Sequence, residues 1–356
     1  PDLIDGAPAP AANLLYQVDD SAYAGSQPLY RLILTAADQA ELGQINRNSP
    51  PPPFSNSDQT RSHAEMNGTF ISLDGTGVAC RYNVGVRNRG NGSRNLRPQN
   101  YRVNFPNDQL WKQVRAININ AQHPHAQLFG SAIYRRAGLP TQETRAVQVR
   151  VNNANLATSG APSYGFYACN EVLNNEFAAH AFPHDSSGNI YRGIRISGAG
   201  ADLHYEGENP GPYRVNYFKQ TNTSQDDWTD LIELTRVLDN ASDADYAREV
   251  RRVANVEEWM LYFAIETLAD NKETNLANGN NGTGQGDDYS LYRGMLDRRF
   301  NILPYDLDTI FNQGNSRGNV QDSLFRMTAV TVLNRFMKQP EFAPIYYRQL
   351  KRLIDT

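Results

Sequence analysis

The 356-residue sequence predicts an α+β chain with a strand-rich first part and a helix-rich second part. Two observations carry this. Apolar–polar alternation punctuated by turn residues dominates up to about residue 170, and apolar residues at helical spacing dominate beyond it. A third observation narrows it: no internal repeat of about 20–50 residues is present, which argues against solenoids and propellers. The boundary between the parts is expected near 170–190, after an N-terminal extension over residues 1–27.

The elements follow in order. Pro28 to Thr35 is a β-rich run, and Ala36 to Leu42 a short helix. The proline cluster Pro50 to Pro53 then breaks regular structure. Gly68 to Leu73, the turn Asp74-Gly75-Thr76-Gly77 and Val78 to Val86 have the pattern of a hairpin. Tyr101 to Phe105 alternates as a further strand. Gln127 to Ala137 has apolar residues at 128, 129, 132, 133 and 137 and is stopped by Gly138 and Pro140, so it reads as a helix. Strand text returns at Ala146 to Val151 and Tyr164 to Cys169. Helices are then expected over Asp227–Leu238, Asp243–Val253 with Ser242 as N-cap, Val256–Leu268, Asp322–Met337 and Phe342–Ile354. Asn271 to Asp288, rich in Asn and Gly, is a long loop of the kind usually kept for function or left disordered.

Composition removes several classes. No apolar run approaches the ~18 residues of a membrane span. A net charge of −4 with mixed signs argues against a nucleic-acid binder. Cys80 and Cys169 permit one disulfide at most and no cysteine zinc site, and two buried free thiols are expected. The chain starts at Pro1 without a methionine or signal peptide, as a mature or excised fragment would. Of 34 basic residues only five are lysine, leaving 29 arginines. Such an excess reflects either genomic base composition or surfaces that grip phosphate and carboxylate with a planar fork.

The acidic residues beside the long loop carry the chemistry. Asp270 ends the apolar run Trp259 to Ile265. Asp287-Asp288 closes the loop before the strand text Tyr289 to Tyr292, and Asp306-Leu307-Asp308 follows Phe300 to Tyr305. A hairpin of these two strands brings Asp288 near Asp306. Carboxylates gathered this way repel unless a cation sits among them, and hard oxygen ligands favour Mg²⁺ or Ca²⁺. The alternative is separate N-caps and solvated loop acids.

Arg87-Asn88-Arg89-Gly90-Asn91-Gly92-Ser93-Arg94 combines glycines with arginines and reads equally as an anion cradle or a solvated basic hairpin. It is neither a Walker A loop nor the usual kinase glycine loop. His123-Pro124-His125 reads as a loop pair without metal, and Glu257-Glu258 as acids solvating a helix start.

In order, Val84-Gly85-Val86-Arg87-Asn88-Arg89-Gly90-Asn91-Gly92-Ser93, Ile117 to Asn120, Arg136 to Pro140, Val149 to Asn152, Tyr164 to Tyr167 with Asn170-Glu171-Val172, and Ile190-Tyr191-Arg192-Gly193 resemble segments of the CotH (spore coat protein H-type) atypical kinases. Asp270, Asp288 to Tyr292 and Pro304 to Asp308 resemble that family's C-terminal signature; the likeness spans about Pro28 to Phe311. The resemblance implies a kinase-like bilobal fold, with lobes over about 28–170 and 171–356, and transfer of phosphate from ATP to Ser/Thr hydroxyls of a protein substrate. Mg²⁺ is the implied metal, with Mn²⁺ or Ca²⁺ as substitutes, and the implied setting is secreted or cell-surface. It implies metal ligation by Asp306, Asp308 and Asp288, with Asn275 competing with Asp288, and a catalytic base at Asp270 or Asp287. Nucleotide contacts fall to Arg87, Arg97, Arg102, Glu171 and Arg192. The chain departs from the family in the long loop and in carrying arginine at Arg97 or Arg102, and at Arg192, where lysine is usual. A catalytically inactive surface module binding Ca²⁺ or a partner is therefore the alternative. A glycosyltransferase with a D-x-D clasp at Asp306-Leu307-Asp308 is a third class, opposed by the lack of a doubly wound pattern.

Overall fold

The computed structural model describes residues 2–3, 15–18, 22–46, 48, 62–90, 92–194, 200–271, 273–274, 276, 286–314, 321, 323–324 and 330–355. The chain divides into two compact units, residues 1–128 with 143–172 and residues 129–142 with 173–356. No described helix is long and apolar enough to cross a membrane.

The first unit is built from β1 (Asp2–Leu3), β2 (Leu29–Ile33), α1 (Ala36–Gln44), β3 (Glu65–Asp74), β4 (Gly77–Asn88), β5 (Tyr101–Asn104), β6 (Ala116–Asn120), the start of α2 (Pro124–Ala137), β7 (Thr144–Val151) and β8 (Tyr167–Asn170). Seven strands close into a barrel, in the order β3-β2-β7-β8-β6-β5-β4 and back to β3, with β1 added beside β3. Only β2 and β7 run parallel within it. The expected hairpin forms as β3 and β4, with a register shift between Gly68 and Phe70. Such an irregularity bends a strand and raises its twist, which closure requires.

Alternation selects the interior. In β7, Val147, Val149 and Val151 point inward while their neighbours stay partly exposed. Tyr30, Phe70, Phe105 and Trp111 pack edge-on or stacked at the centre, with ring centroids 5.2–5.9 Å apart. Both cysteines are free, Cys169 buried and Cys80 half-buried on β4.

The second unit contains α3 (Asn175–Ala181), β9 (Asn189–Gly193), α4 (Gly211–Asn216), β10 (Tyr217–Lys219), α5 (Thr229–Asn240), α6 (Tyr246–Val253), α7 (Val256–Leu268), β11 (Tyr289–Arg293), β12 (Phe300–Pro304), α8 (Thr331–Lys338) and α9 (Ala343–Asp355). Its sheet is antiparallel in the order β10-β9-β11-β12. The central helix α7 matches the expected bounds and is apolar and buried on every side from Trp259 to Ile265, as a helix enclosed by its neighbours must be. It is pinned to β12 through Trp259 Nε1–H, which donates to the Phe300 carbonyl at 2.8 Å.

Several expectations are corrected. The helix placed over 243–253 begins at Tyr246, and Ser242 instead accepts from the Asp245 N–H at 3.3 Å in the preceding turn. Of the helix expected over 322–337, the described part is Thr331–Lys338; residues 322 and 325–329 lie outside the described residues. Pro124 and His125 open α2 rather than lying in a loop, since proline suits a first helical turn. Glu257 is exposed and pairs with Arg251 at 2.8 Å, but Glu258 turns inward and accepts the Ile302 N–H at 3.0 Å. Burial drives the Glu258 carboxyl well above the ordinary range, so it does not solvate the helix start.

Phe336 of α8 is fully buried against Trp259, Phe263 and Phe342, with centroids 5.2–6.3 Å away. Phe336→Ala is expected to cost about 3–5 kcal/mol of stability in urea unfolding and Phe336→Leu distinctly less, because only the alanine leaves a large cavity.

Candidate functional site

Glu266 lies in the last turn of α7, directly after the apolar run Trp259 to Ile265. Its carboxylate accepts hydrogen bonds from the Tyr134 hydroxyl, from Asn271 Nδ2 at 3.0 Å and from Thr274 Oγ1 at 3.1 Å. The Asn271 N–H also returns to the Glu266 carbonyl at 2.9 Å. The segment leaving the helix is thus folded back on a buried anion, and Asp270 is held at its apex with φ +54°. The Thr274 carbonyl accepts the Asp287 N–H at 2.9 Å, joining the two ends of the long loop.

The β11–β12 hairpin does the rest. Tyr289 is registered opposite Pro304, so Asp288 immediately precedes one strand where Asp306 follows the other. Asp288 and Asp306 share the left-handed backbone of Asp270, with φ +51° and +49°. Such conformations are disfavoured for residues with a Cβ and concentrate at functional sites. The Phe311 N–H donates to the Ala269 carbonyl at 2.8 Å, tying the segment after Asp308 to the end of α7. At Gly130 in α2 a Cβ would lie 2.7–3.0 Å from Leu307 and Ile310, so the helix packs directly on that segment.

Glu273 completes the group, and sequence reasoning missed it. Burial first, and then the charges of Asp308, Asp306 and Asp288, push its carboxyl well above the ordinary range. Arg192 of β9 is the nearby cation: its Nη2 is 3.5 Å from Asp288 Oδ1 and its guanidinium lies 4.3 Å above the Tyr305 ring. Four carboxylates influence one another here, and their oxygen-only donor chemistry fits a hard divalent cation such as Mg²⁺. Among the described residues, however, no three acidic, His or Cys side chains are arranged to hold one ion. Asp287 is buried beside this group, and Asn275 lies outside the described residues.

The first unit carries an arginine cluster instead of a solvated hairpin. Arg87 and Arg102 are cross-strand neighbours on β4 and β5. Arg87 is 3.6 Å from Glu65 Oε1 and 2.6 Å from His63 Nδ1, and Arg94 is buried on the Gly90 and Ser62 carbonyls. Burial, then the charges of Arg102, Arg94 and Arg89, lowers the Arg87 pKa to about 9 in spite of Glu65. At Gly85 a Cβ would fall on Glu65 Oε2, so a larger residue has to move the carboxylate that crosses β4 toward Arg87. Arg97 is turned to the Gly43 and Leu96 carbonyls at 2.8 and 2.9 Å, and Glu171 accepts the Glu143 N–H at 3.0 Å. The structure thus groups Asp288, Asp306 and Asp308 with Glu273 and Arg192, and Arg87 with Arg102. An acid directly behind the apolar run Trp259 to Ile265 was a readable signal for Glu266, whereas nothing in the sequence marked Glu273 or Glu65.

Burial raises the Glu266 pKa from 4.5 to about 7 although three donors favour the anion. The unfolded chain releases this proton near pH 4.5, while the folded chain holds it to about pH 7. The folded state therefore binds more protons across that interval, and stability falls as pH rises through it. The contribution is about 3 kcal/mol. Glu266→Gln is expected to flatten that part of the pH profile in urea unfolding between pH 4.5 and 7. A second expected outcome concerns Gly85: Gly85→Val displaces Glu65 and lowers the melting temperature, whereas Gly85→Val with Glu65→Ala recovers part of the loss.

No curated protein matches the chain significantly. The family model described as CotH kinase protein matches residues 86–356, which includes the arginine cluster, the hairpin and all of the grouped carboxylates. The match starts beyond the first strands of the barrel and runs past Phe311 to the last residue. The chain belongs to the CotH kinase protein family.

Proposed function

We propose that the protein transfers the γ-phosphoryl group of ATP to Ser/Thr hydroxyls of a protein substrate, with a divalent metal held by Asp306, Asp308 and Asp288. The observation that carries this is the gathering of these aspartates with Glu273 around one hairpin end, beside Arg192. Phosphoryl transfer needs charge neutralisation and positioning more than covalent chemistry, and aspartates that hold a divalent metal beside an arginine would provide both. A bound Mg²⁺ or Mn²⁺ would neutralise phosphate charge. Arg192 already lies against Asp288 and is the cation proposed to meet phosphate; its fork makes two contacts where lysine makes one. Asp270, fixed at the end of α7, is the proposed base that accepts the hydroxyl proton, with buried Asp287 as the second candidate. Arg87 and Arg102 are the further cations proposed for the nucleotide; Arg97 and Glu171, engaged with backbone, are weaker candidates. A kinase-like arrangement of lobes over about 28–170 and 171–356, and action on secreted or surface proteins, belong to the same proposal.

One observation favours a second reading. Asp288 already has a cationic partner, and among the described residues no three acids close on one ion. Of the alternative reading, a catalytically inactive module that binds Ca²⁺ or a partner protein, this fits the partner-binding form; the Ca²⁺ form needs the same acids to close on an ion.

Incubation with γ-labelled ATP and Mg²⁺ or Mn²⁺ separates the two. The kinase reading expects label on the chain or on added protein, reduced at least about 100-fold in Asp306→Asn and in Asp270→Asn. Arg192→Lys is expected to retain part of the activity and Arg192→Ala to lose it. No labelling, together with a thermal shift by Ca²⁺ and none by ATP–Mg²⁺, would establish the inactive module.

A further inference from the structure

The other end of the β11–β12 hairpin borders a cavity of about 830 Å³ that the phosphoryl-transfer reading does not use. It is separate from the acidic group: Arg293, on its wall, and Asp288 are five residues apart along the strand, about 17 Å. The antiparallel partner β9 repeats the separation, with Asn189 opposite Arg293 and Arg192 opposite Ser290.

The cavity presents fixed charges of both signs. Asp230 accepts from Asn189 Nδ2 at 2.7 Å and from the Tyr191 hydroxyl at 2.6 Å, with Arg293 Nη1 3.8 Å away. Asp227 accepts from the Thr229 N–H and hydroxyl at 3.0 and 2.7 Å. Opposite in charge, Arg298 is exposed at the hairpin turn, and its carbonyl accepts from Arg293 Nε at 3.2 Å. The tip of that turn is clamped: the N–H groups of Met295, Leu296 and Asp297 all donate to the Asp185 carboxylate at 2.8–3.1 Å. The clamp holds Met295 and Leu296 in solvent, 56% and 80% exposed. A turn ordered by three hydrogen bonds that still presents two apolar side chains is preorganised for contact.

We infer that this cavity is a docking site for a polar peptide segment of a partner protein, one that carries a basic and an acidic side chain a few residues apart. The basic group meets the exposed Asp227, the acidic group meets Arg298, and an apolar neighbour covers Met295 and Leu296; Asp230, already held by Asn189, Tyr191 and Arg293, fixes the wall behind them. The volume exceeds what a single amino acid fills and is typical of larger ligands. The aromatic residue on its wall, Phe300, is 1% exposed and offers no face on which a sugar ring would stack.

The test needs neither nucleotide nor metal, so its outcome is independent of the phosphoryl-transfer reading. A display library of octapeptides, sampling Lys, Asp, Leu, Ser and Ala at each position, is selected on the full chain. The expected winners pair Lys and Asp at a fixed spacing. Arg298→Glu, an exposed change whose melting temperature serves as the folding control, weakens them about tenfold or more. Reselection on Arg298→Glu places Lys where Asp stood, and reselection on Asp227→Asn relaxes the demand for Lys. Failure to enrich any peptide, enrichment without paired charges, or the same winners on Arg298→Glu would overturn the inference. So would binding of neutral oligosaccharides by the same cavity with no peptide bound.

Discussion

A buried carboxylate at the end of an apolar helix organises the part of this protein in which the acidic residues are grouped. Glu266 sits where α7 ends and the Asn- and Gly-rich loop begins, and it gathers Tyr134, Asn271 and Thr274 around itself. An acid in such a place is costly unless its oxygens are satisfied, and three donors supply that satisfaction. The same bonds fold the chain back beneath Asp270 and carry Glu273 toward the hairpin acids.

Electrostatics dominates what that course brings together. Glu273, Asp288, Asp306 and Asp308 repel one another, and Arg192 supplies the cation that lies against Asp288. Left-handed backbone at Asp270, Asp288 and Asp306 adds a second cost at the same place. A fold that accepts both costs at one hairpin end has a site that gains from an arriving positive charge. The arginine cluster on the barrel is the opposite case: Arg87 is so enclosed among like charges that its pKa falls despite Glu65. The two clusters thus carry opposite charge, and both lie within the stretch that the family model matches.

Much of this was legible in the sequence because it is local. The hairpin that joins Asp288 to Asp306 is written as two apolar runs about a turn, and the stretch Val256–Leu268, apolar from Trp259 to Ile265, is helical to the residue. What was not legible depends on distant contacts. The β3–β4 hairpin was written in the strand pattern, but barrel closure also needs the parallel pairing of β2 with β7 and the register shift between Gly68 and Phe70, and the pattern shows neither. Burial of Arg87 and Arg94 reverses the solvated reading of the basic stretch, since a sequence shows charge and not enclosure. Glu258 follows the same logic, turning to a strand N–H far along the chain. Glu273 looked like one more loop acid, and only the fold places it against three aspartates.

Whether the hairpin acids hold a metal together with nucleotide is the centre of the account. Electron paramagnetic resonance of Mn²⁺ titrated into the chain with and without ATP tests it directly. The account expects Mn²⁺ to bind in an ATP-dependent way and to lose that binding in Asp306→Asn and Asp308→Asn, with the chain still folded. Mn²⁺–ATP binding unchanged by both substitutions, or absent from the unaltered chain, would contradict it.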